Sequence, residues 1–398
     1  MIKKAILTLS PPLRHIIEER NQLRLQLQAA MQAHGPQTQR INHRVYTTLN
    51  VDPIIGTGSI ADDKSIVERL LTSYQRSSSD QYGNGSVWRE FYKTYHKDSH
   101  RVFMRGDVEE ARQILANPAA NNMFYGFDEL CALIIPGWQS NPKGLANSCQ
   151  DNLIRLAEAL GASRLENPEF GGGPWLANVE IPTNKILQEI EAVLGKAISF
   201  PDIYPGAVGA NSFRGIVTYR AIHALYLAFR LRQIVEDSPL PAKSCSICEI
   251  GAGLGRSALY ANKLGLKDYT IVDVPMTAIS QGYYLMRCLG EDAVALPGEA
   301  RRSREQIRIM HPEDFFSSHE RFDLIANVDS LSELGHDLAA RYLKKISMTA
   351  PNFLSINHEA NSIRVIDLLK ELDRPYKISR YPYWMRQGYV EELVKFQP

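Results

Sequence analysis

Hydrophobic and polar positions in the second half of the chain alternate between two periods. Short apolar runs of strand length occupy residues 246–251, 269–274, 293–296, 322–328 and 353–357. Between and after them, apolar residues recur at three- and four-residue spacing over 256–264, 276–289, 336–349 and 363–372, which predicts helices. Strand–helix repetition of this kind predicts a parallel sheet covered on both faces. The pattern then changes: residues 376–384 and 389–396 both read as extended, joined at Arg386-Gln387-Gly388 with no helix between them, which predicts a closing antiparallel hairpin. The fold class expected is α/β, a Rossmann-like sheet ending in an antiparallel C-terminal hairpin.

The first half reads differently. Residues 13–33 lack Gly and Pro, and Ile16, Leu23 and Ala30 recur every seven positions, a helix with the spacing of a short coiled coil. His34-Gly35-Pro36 ends it, so a homo-oligomer formed through this helix is one expectation. Residues 37–63 are polar and read as loop. Helical spacing dominates 87–196, notably over 108–115, 153–160 and 186–194, interrupted by Gly171-Gly172-Gly173-Pro174. A turn-rich stretch at 200–215 precedes a helix over 216–236 and a polar linker at 237–243. Three parts are therefore expected: an N-terminal helix at 1–36, a mainly helical accessory domain at 37–199, and a cofactor-binding domain at 200–398.

Composition narrows the function. The 398 residues are 44% hydrophobic and 22% charged, an ordinary globular balance. Lys and Arg (45) offset Asp and Glu (44) to a net +1, which argues against a nucleic-acid partner. Five cysteines at irregular spacing suggest no disulfide framework and fit a reducing cytoplasm. The apolar start is stopped by Pro11-Pro12, too soon for a signal peptide, and no window reaches the ~18 apolar residues of a membrane span. Cys245 and Cys248 form a CxxC with no second pair, a weak metal or redox signal. Arg301-Arg302-Ser303-Arg304 reads as a solvated basic loop, with phosphate binding the lesser alternative.

The chemistry concentrates where the first of these strands ends. Glu249-Ile250-Gly251-Ala252-Gly253-Leu254-Gly255 follows an apolar run and opens a helix. Glycine is required where a chain turns sharply or where backbone approaches a ligand with no Cβ in the way. A dinucleotide fingerprint starting at Gly251 would need glycine at position 256, where Arg256 stands. An acid followed by GxGxG is instead the form used for S-adenosylmethionine. Asp273, at the end of the next strand and followed by Val274, is suited to accept both ribose hydroxyls. Asp314, in Pro312-Glu313-Asp314-Phe315-Phe316, is the expected adenine contact, with Glu299 as competitor.

These segments are similar to those of the sugar O-methyltransferase family found with bacterial polysaccharide and glycoconjugate genes, within the class I S-adenosylmethionine-dependent methyltransferases. The resemblance spans Phe200 to the C-terminus. It rests on Gly209-Ala210-Asn211-Ser212-Phe213-Arg214-Gly215 with Tyr219, the glycine motif, and Val272-Asp273-Val274-Pro275. It continues through Asn327-Val328-Asp329-Ser330-Leu331-Ser332-Glu333-Leu334, Ser355-Ile356-Asn357-His358-Glu359 and the segment from Tyr381 to Tyr389. Relatives often carry an aromatic or Thr-Tyr where this chain has Asp329, which leaves the role of that position open. The resemblance implies O-methylation of a sugar, nucleotide-linked, lipid-linked or at a glycan end.

Methyl transfer to a hydroxyl requires alignment of the acceptor and removal of its proton. Ligands of an open α/β sheet lie beyond the carboxyl ends of its strands, which points to Asp329, Glu333, His358 and Glu359. His358 is the first choice of base because imidazole titrates near neutral pH; Asp329 either orients it or acts itself. No metal is expected to be needed; the minority alternative is Mg²⁺ held by Asp329 and Glu359. Arg214 is the candidate for the methionine carboxylate, and Asn327 a further cofactor contact. Glu333, Tyr383, Trp384 and Arg386 are the candidate substrate residues, since aromatic faces suit the C–H faces of a sugar ring. The rival readings are a methyltransferase with a non-sugar acceptor, a non-catalytic scaffold of the same fold, and a nicotinamide oxidoreductase.

Overall fold

The computed structural model describes residues 51–59, 62–77, 87–163, 182–237 and 244–397. The expected helix at 13–33 and the triple-glycine loop at 171–173 lie outside the described residues. All the described residues belong to one compact unit.

The sheet that carries the site has β4 (Ser246–Ile250) at its centre, flanked by β5 (Asp268–Val272) and β8 (Leu324–Val328), both parallel to it. Beyond β5 come β7 (Ile307–Met310) and the two-residue β6 (Val294–Ala295). Beyond β8 come parallel β9 (Asn352–His358), then antiparallel β11 (Tyr389–Phe396), and β10 (Tyr376–Pro382) at the edge. The order β10-β11-β9-β8-β4-β5-β7-β6 is the class I methyltransferase arrangement with one additional short edge strand. β4, β5, β8 and β9 are buried almost throughout because both faces are covered. On one face α12 (His336–Thr349) places Ala339, Leu343 and Ile346 against Ile250, Ile325 and Phe353. Each such side chain removed from water stabilises the fold by roughly 1.5–3 kcal/mol.

Most expected elements are present within two residues of their predicted ends; α12 and β11 match to the residue. Three differences stand out. β1 (Pro53–Thr57) lies in the stretch read as loop, because its ladder partner β2 (Pro205–Ser212) is about 150 residues away in the chain. β3 (Gly215–Val217) replaces the first turn expected of the 216–236 helix, which begins instead at Tyr219 behind an N-cap at Thr218. β7 is only four residues long and gave no pattern signal.

The position near residue 200, expected to separate two domains, falls inside the compact unit. β1 and β2 join across it, and hydrogen bonds and part-buried ion pairs fasten the helices before it to a helix and a loop after it. Asp63, ahead of α1 (Lys64–Ser77), accepts from Arg112 of α4 (Val108–Ala116) at 2.5 Å and from Tyr283 of α10 (Pro275–Leu289). Arg69 of α1 grips Glu299 at 2.6 and 2.8 Å. Among the described residues no helix is long and apolar enough to cross a membrane.

Candidate active site

Register sets the site. Ile250 lies level with Val272 of β5 and with Asn327 of β8, so Gly251, Asp273 and Val328 emerge side by side at the carboxyl rim. A cleft of about 580 Å³ opens there and is lined by all three.

The loop after β4 closes back on the sheet. Gly251 N–H donates to the Val272 carbonyl (3.0 Å), and Gly255 N–H to the Ala252 carbonyl (2.9 Å), before Gly255 caps α9 (Arg256–Lys263). Gly251, Gly253 and Gly255 have φ of +73°, +55° and +85°, where a side chain is strained. Space is as restrictive at Gly251: a Cβ there would meet Ser330 Oγ at 2.2 Å. The glycines therefore keep the floor of the cleft bare.

Asp273 stands beside that floor. Its Oδ1 accepts from Val274 N–H (2.9 Å) and its Oδ2 from Gln281 Nε2 (2.7 Å); the same Gln281 nitrogen also donates to the Gly253 carbonyl (2.8 Å). Burial outweighs these bonds and pushes the Asp273 carboxyl up to about 7. Gln281, on α10, thus ties glycine loop to acid. The sequence reading missed it because it lies inside a helix with no motif to mark it. Glu249 also lines the cleft. Its carboxylate is held within the protein by Ser257 (2.5 Å) and Tyr269 (2.8 Å), and burial raises its pKa.

Several expected residues fall elsewhere. Asp314 is exposed and off the cleft, whereas Glu313, one position earlier on α11 (Pro312–Ser317), lines it with Pro312 and Phe316. A step of one residue on a helix turns the side chain about 100°, enough to exchange the two. Glu299, the competitor, is committed to Arg69. Asn327 is fully buried below the rim: its Nδ2 donates to the Ile250 carbonyl (2.9 Å) and to Ser330 Oγ (2.5 Å), so it positions the loop. Arg214, at the β2–β3 turn, pairs with Glu191 (2.8 Å) of α7 (Thr183–Leu194) and is not among the lining residues. Glu359 binds Arg380 (2.8 Å), and Trp384 is exposed outside the cleft.

The far end of the cleft gathers Tyr219, Arg220 and His223 of α8 (Tyr219–Glu236) with Asp329, Glu333, Tyr383, Arg386 and Tyr389. Asp329 has φ +65°, the one positive-φ non-glycine residue among those described; such backbone costs of order 1–3 kcal/mol and is held only by its surroundings. Its Oδ2 accepts from Arg386 (3.2 Å), while its Oδ1 is buried with no partner. Arg386 lies over the Tyr389 ring at 4.0 Å. His223 shares a hydrogen bond with Tyr383 (3.1 Å) through Nδ1, and its Nε2 is buried and unpartnered. Burial, then the positive charge of Arg386, lowers its pKa to about 3, so it is neutral. Burial, then the charge of Asp329, raises Glu333 to about 7. Sequence alone gave no reason to single out His223, which sits within an unbroken helical pattern.

His358 is absent from this cleft. It ends β9, accepts through Nε2 from Asn361 Nδ2 (3.2 Å), and lines a second cavity of about 550 Å³. Gly126, Arg220, Glu333 and Leu334 line both cavities. Of the two residues named for the Mg²⁺ alternative, Asp329 is paired with Arg386 and Glu359 with Arg380, and no cluster of three or more His, Cys, Asp or Glu occurs among the described residues. The basic run is likewise engaged, Arg301 with Asp268 (2.6 Å) and Arg302 with Asp292 (3.2 Å). Cys245 and Cys248 are free and buried.

No protein-family model and no curated protein matches the chain. Solved structures similar to it include magnesium protoporphyrin IX methyltransferase from Synechocystis PCC 6803 with bound SAM, at 13% identity and TM-score 0.33, covering 44% of this chain and 79% of that one. Ribosomal protein L11 methylase from Lactobacillus delbrueckii subsp. bulgaricus is similar at 13% identity and TM-score 0.30, covering 44% and 80%. A SAM-dependent methyltransferase from Aquifex aeolicus is similar at 12% identity and TM-score 0.30, covering 43% and 90%. These likenesses are distant, and the functional reading rests on the cleft's own residues.

Proposed function

We propose that the chain is an S-adenosylmethionine-dependent methyltransferase acting on a hydroxyl of a sugar or glycoconjugate. The observation that carries the cofactor reading is Asp273, a buried carboxylate beside a glycine loop that leaves no room for a Cβ. Ribose hydroxyls donating to Asp273 would supply the stabilisation that burial withholds from its charged form. The hydroxyl of Thr277, which faces the same cleft buried and unpartnered, is a further free polar atom for an adenosyl group. Pro312, Glu313 and Phe316 would border the base. When bound, S-adenosylmethionine supplies a methyl group already activated on a sulfonium. The protein's own task is then to orient the acceptor, exclude water and receive a proton. The sugar reading draws on the tyrosines and carboxylates at the far end of the cleft together with the aromatic, amide and hydroxyl side chains of the second cavity that shares Glu333 with it, which suit a ring with C–H faces and hydroxyl edges.

Isothermal calorimetry with S-adenosylhomocysteine tests the cofactor half. Binding is expected, weakened by about 1–3 kcal/mol in Asp273→Ala through loss of hydrogen bonds to a charged acceptor. An unchanged affinity in the variant, or no binding by the wild type, rejects the reading. Labelled S-adenosylmethionine with nucleotide sugars and glycans tests the acceptor half; transfer to a nitrogen or to a non-sugar compound would replace the sugar by that class.

A further inference from the structure

The cavity that holds His358 has been given no task so far, and its walls differ from those of the cofactor cleft. Phe91 and Tyr125 form one side, their rings edge to face at 5.3 Å. Asn361, Ser362 and His358 form the other, following β9. The cavity also touches Asp128, Glu129 and Arg220, but these charges are mutually satisfied: Arg220 donates to Glu129 at 2.6 Å, and Asp128 binds Arg256 of α9. Two aromatic faces with amide, hydroxyl and imidazole edges suit a ring bearing hydroxyls. A site for phosphate would need an uncommitted cation, and the one arginine of this wall is committed to Glu129.

Glu333 lies where this cavity meets the cofactor cleft and lines both. It sits on the 3₁₀ turn Ser330–Glu333 directly after β8, among the groups that leave the carboxyl rim of the sheet. No hydrogen bond or ion pair engages its carboxylate in the described structure, unlike Asp329, Glu359 and Glu129 nearby in sequence or space. We propose that this second cavity is the acceptor chamber, that it takes a neutral polyhydroxylated ring, and that Glu333 receives the proton of the reacting hydroxyl. This rests on the methyltransferase reading and replaces His358 as the base.

The proton moves from the acceptor oxygen to a Glu333 carboxylate oxygen. The electron pair of that O–H bond becomes the new O–C bond, and the pair of the methyl C–S bond stays on sulfur, leaving a neutral thioether. The protonated Glu333 then returns its proton to solvent through the chamber. The groups facing Glu333 are Asp329 at the end of β8, Arg220 of α8, Arg386 of the hairpin turn, and His358 of β9 across the chamber. Burial and Asp329 keep its carboxyl near neutral, which suits a group that must both take and return a proton. A base works only when deprotonated, so turnover is lost as pH falls through about 7.

The test uses the full chain loaded with S-adenosylhomocysteine, titrated by calorimetry with methyl glycosides of hexoses and 6-deoxyhexoses, each beside its sugar 1-phosphate. Neutral glycosides are expected to bind at least tenfold tighter than the phosphates. Ser362→Trp, an exposed rim position, should abolish glycoside binding while leaving S-adenosylhomocysteine affinity within twofold. Glu333→Gln should bind both ligands within threefold of wild type, yet transfer labelled methyl to the glycoside at least 100-fold more slowly, on the scale of a lost general base. With cofactor saturating at every pH, it should also lose the pH dependence of turnover near 7, and Glu333→Asp should restore part of the rate. Preference for the phosphates, no glycoside bound, binding indifferent to Ser362→Trp, or wild-type turnover in Glu333→Gln overturns the assignment. Failure of S-adenosylhomocysteine itself to bind instead sinks the methyltransferase reading beneath it.

Discussion

The two ends of the cleft are built in opposite ways. At the glycine end, Glu249 to Gly255 and Asp273 come from two consecutive strands and their loops, and backbone conformation does most of the shaping. At the far end, α8, the turn after β8 and the C-terminal hairpin each contribute side chains, separated by more than 100 residues between Tyr219 and Asp329. The glycine end offers two buried acids, Glu249 and Asp273, beside bare backbone; the far end crowds two carboxylates, two arginines, a neutral histidine and three tyrosines. A ligand common to a whole superfamily can be met by local backbone geometry. An acceptor peculiar to one enzyme needs side chains that only the assembled fold brings together.

That contrast can be broken most severely where the two halves are fastened. Arg256→Ala removes the partner of Asp128, which is almost wholly buried. An uncompensated buried charge costs about 3–5 kcal/mol, and a denaturant midpoint shift of that size is expected. A loss below about 1 kcal/mol would mean that the pair does not clasp the helices to the sheet. Next in size is Gly251→Ala, which forces a Cβ against Ser330 Oγ at a φ of +73°. Strain of about 1–3 kcal/mol should appear as 10- to 100-fold weaker S-adenosylhomocysteine binding, with the far-ultraviolet spectrum unchanged. Equal affinity in the variant would show that backbone does not shape this end.

The smallest effect is a matter of pH. Asp273 is raised to about 7 in the free protein, and only its ionised form accepts two ribose hydroxyls. Affinity for S-adenosylhomocysteine should therefore be full above pH 7 and fall as pH drops through it, by up to about tenfold per unit. Asp273→Ala should flatten that dependence. The opposite sign holds for stability measured without ligand: a carboxyl raised above its unfolded value opposes folding once ionised, so stability falls as pH rises through about 7. Asp273→Asn should accordingly raise the melting temperature more at pH 8 than at pH 5.

Legibility in the sequence followed the range of the interactions concerned. Gly251, Gly253 and Gly255 were readable because a positive φ is a property of one residue and its neighbours. Asp273 was readable because it follows an apolar strand directly. At Asp314 the difference is one of rotation: the helix was found, but its phase about the axis is fixed by packing, and that phase sets Glu313 rather than Asp314 along the cleft. His358 was sought at the right strand end and lines the neighbouring chamber, whose other wall comes from Phe91 and Tyr125, far away in the chain. Arg214 and Glu359 looked free and are held by Glu191 and Arg380, partners that no spacing rule connects to them.

What the sequence by itself determined is therefore the alternation of strands and helices, the closing hairpin, and the bare turn that follows β4. Each depends on periodicity or on the conformational range of single residues. The tertiary structure alone decided that β1 would pair with β2, that Asp63 and Asp128 would bind the helical segments to the sheet, and that Glu333 would stand between two cavities. Those outcomes depend on which distant surfaces exclude water together, and burial of that kind leaves no local mark on the chain.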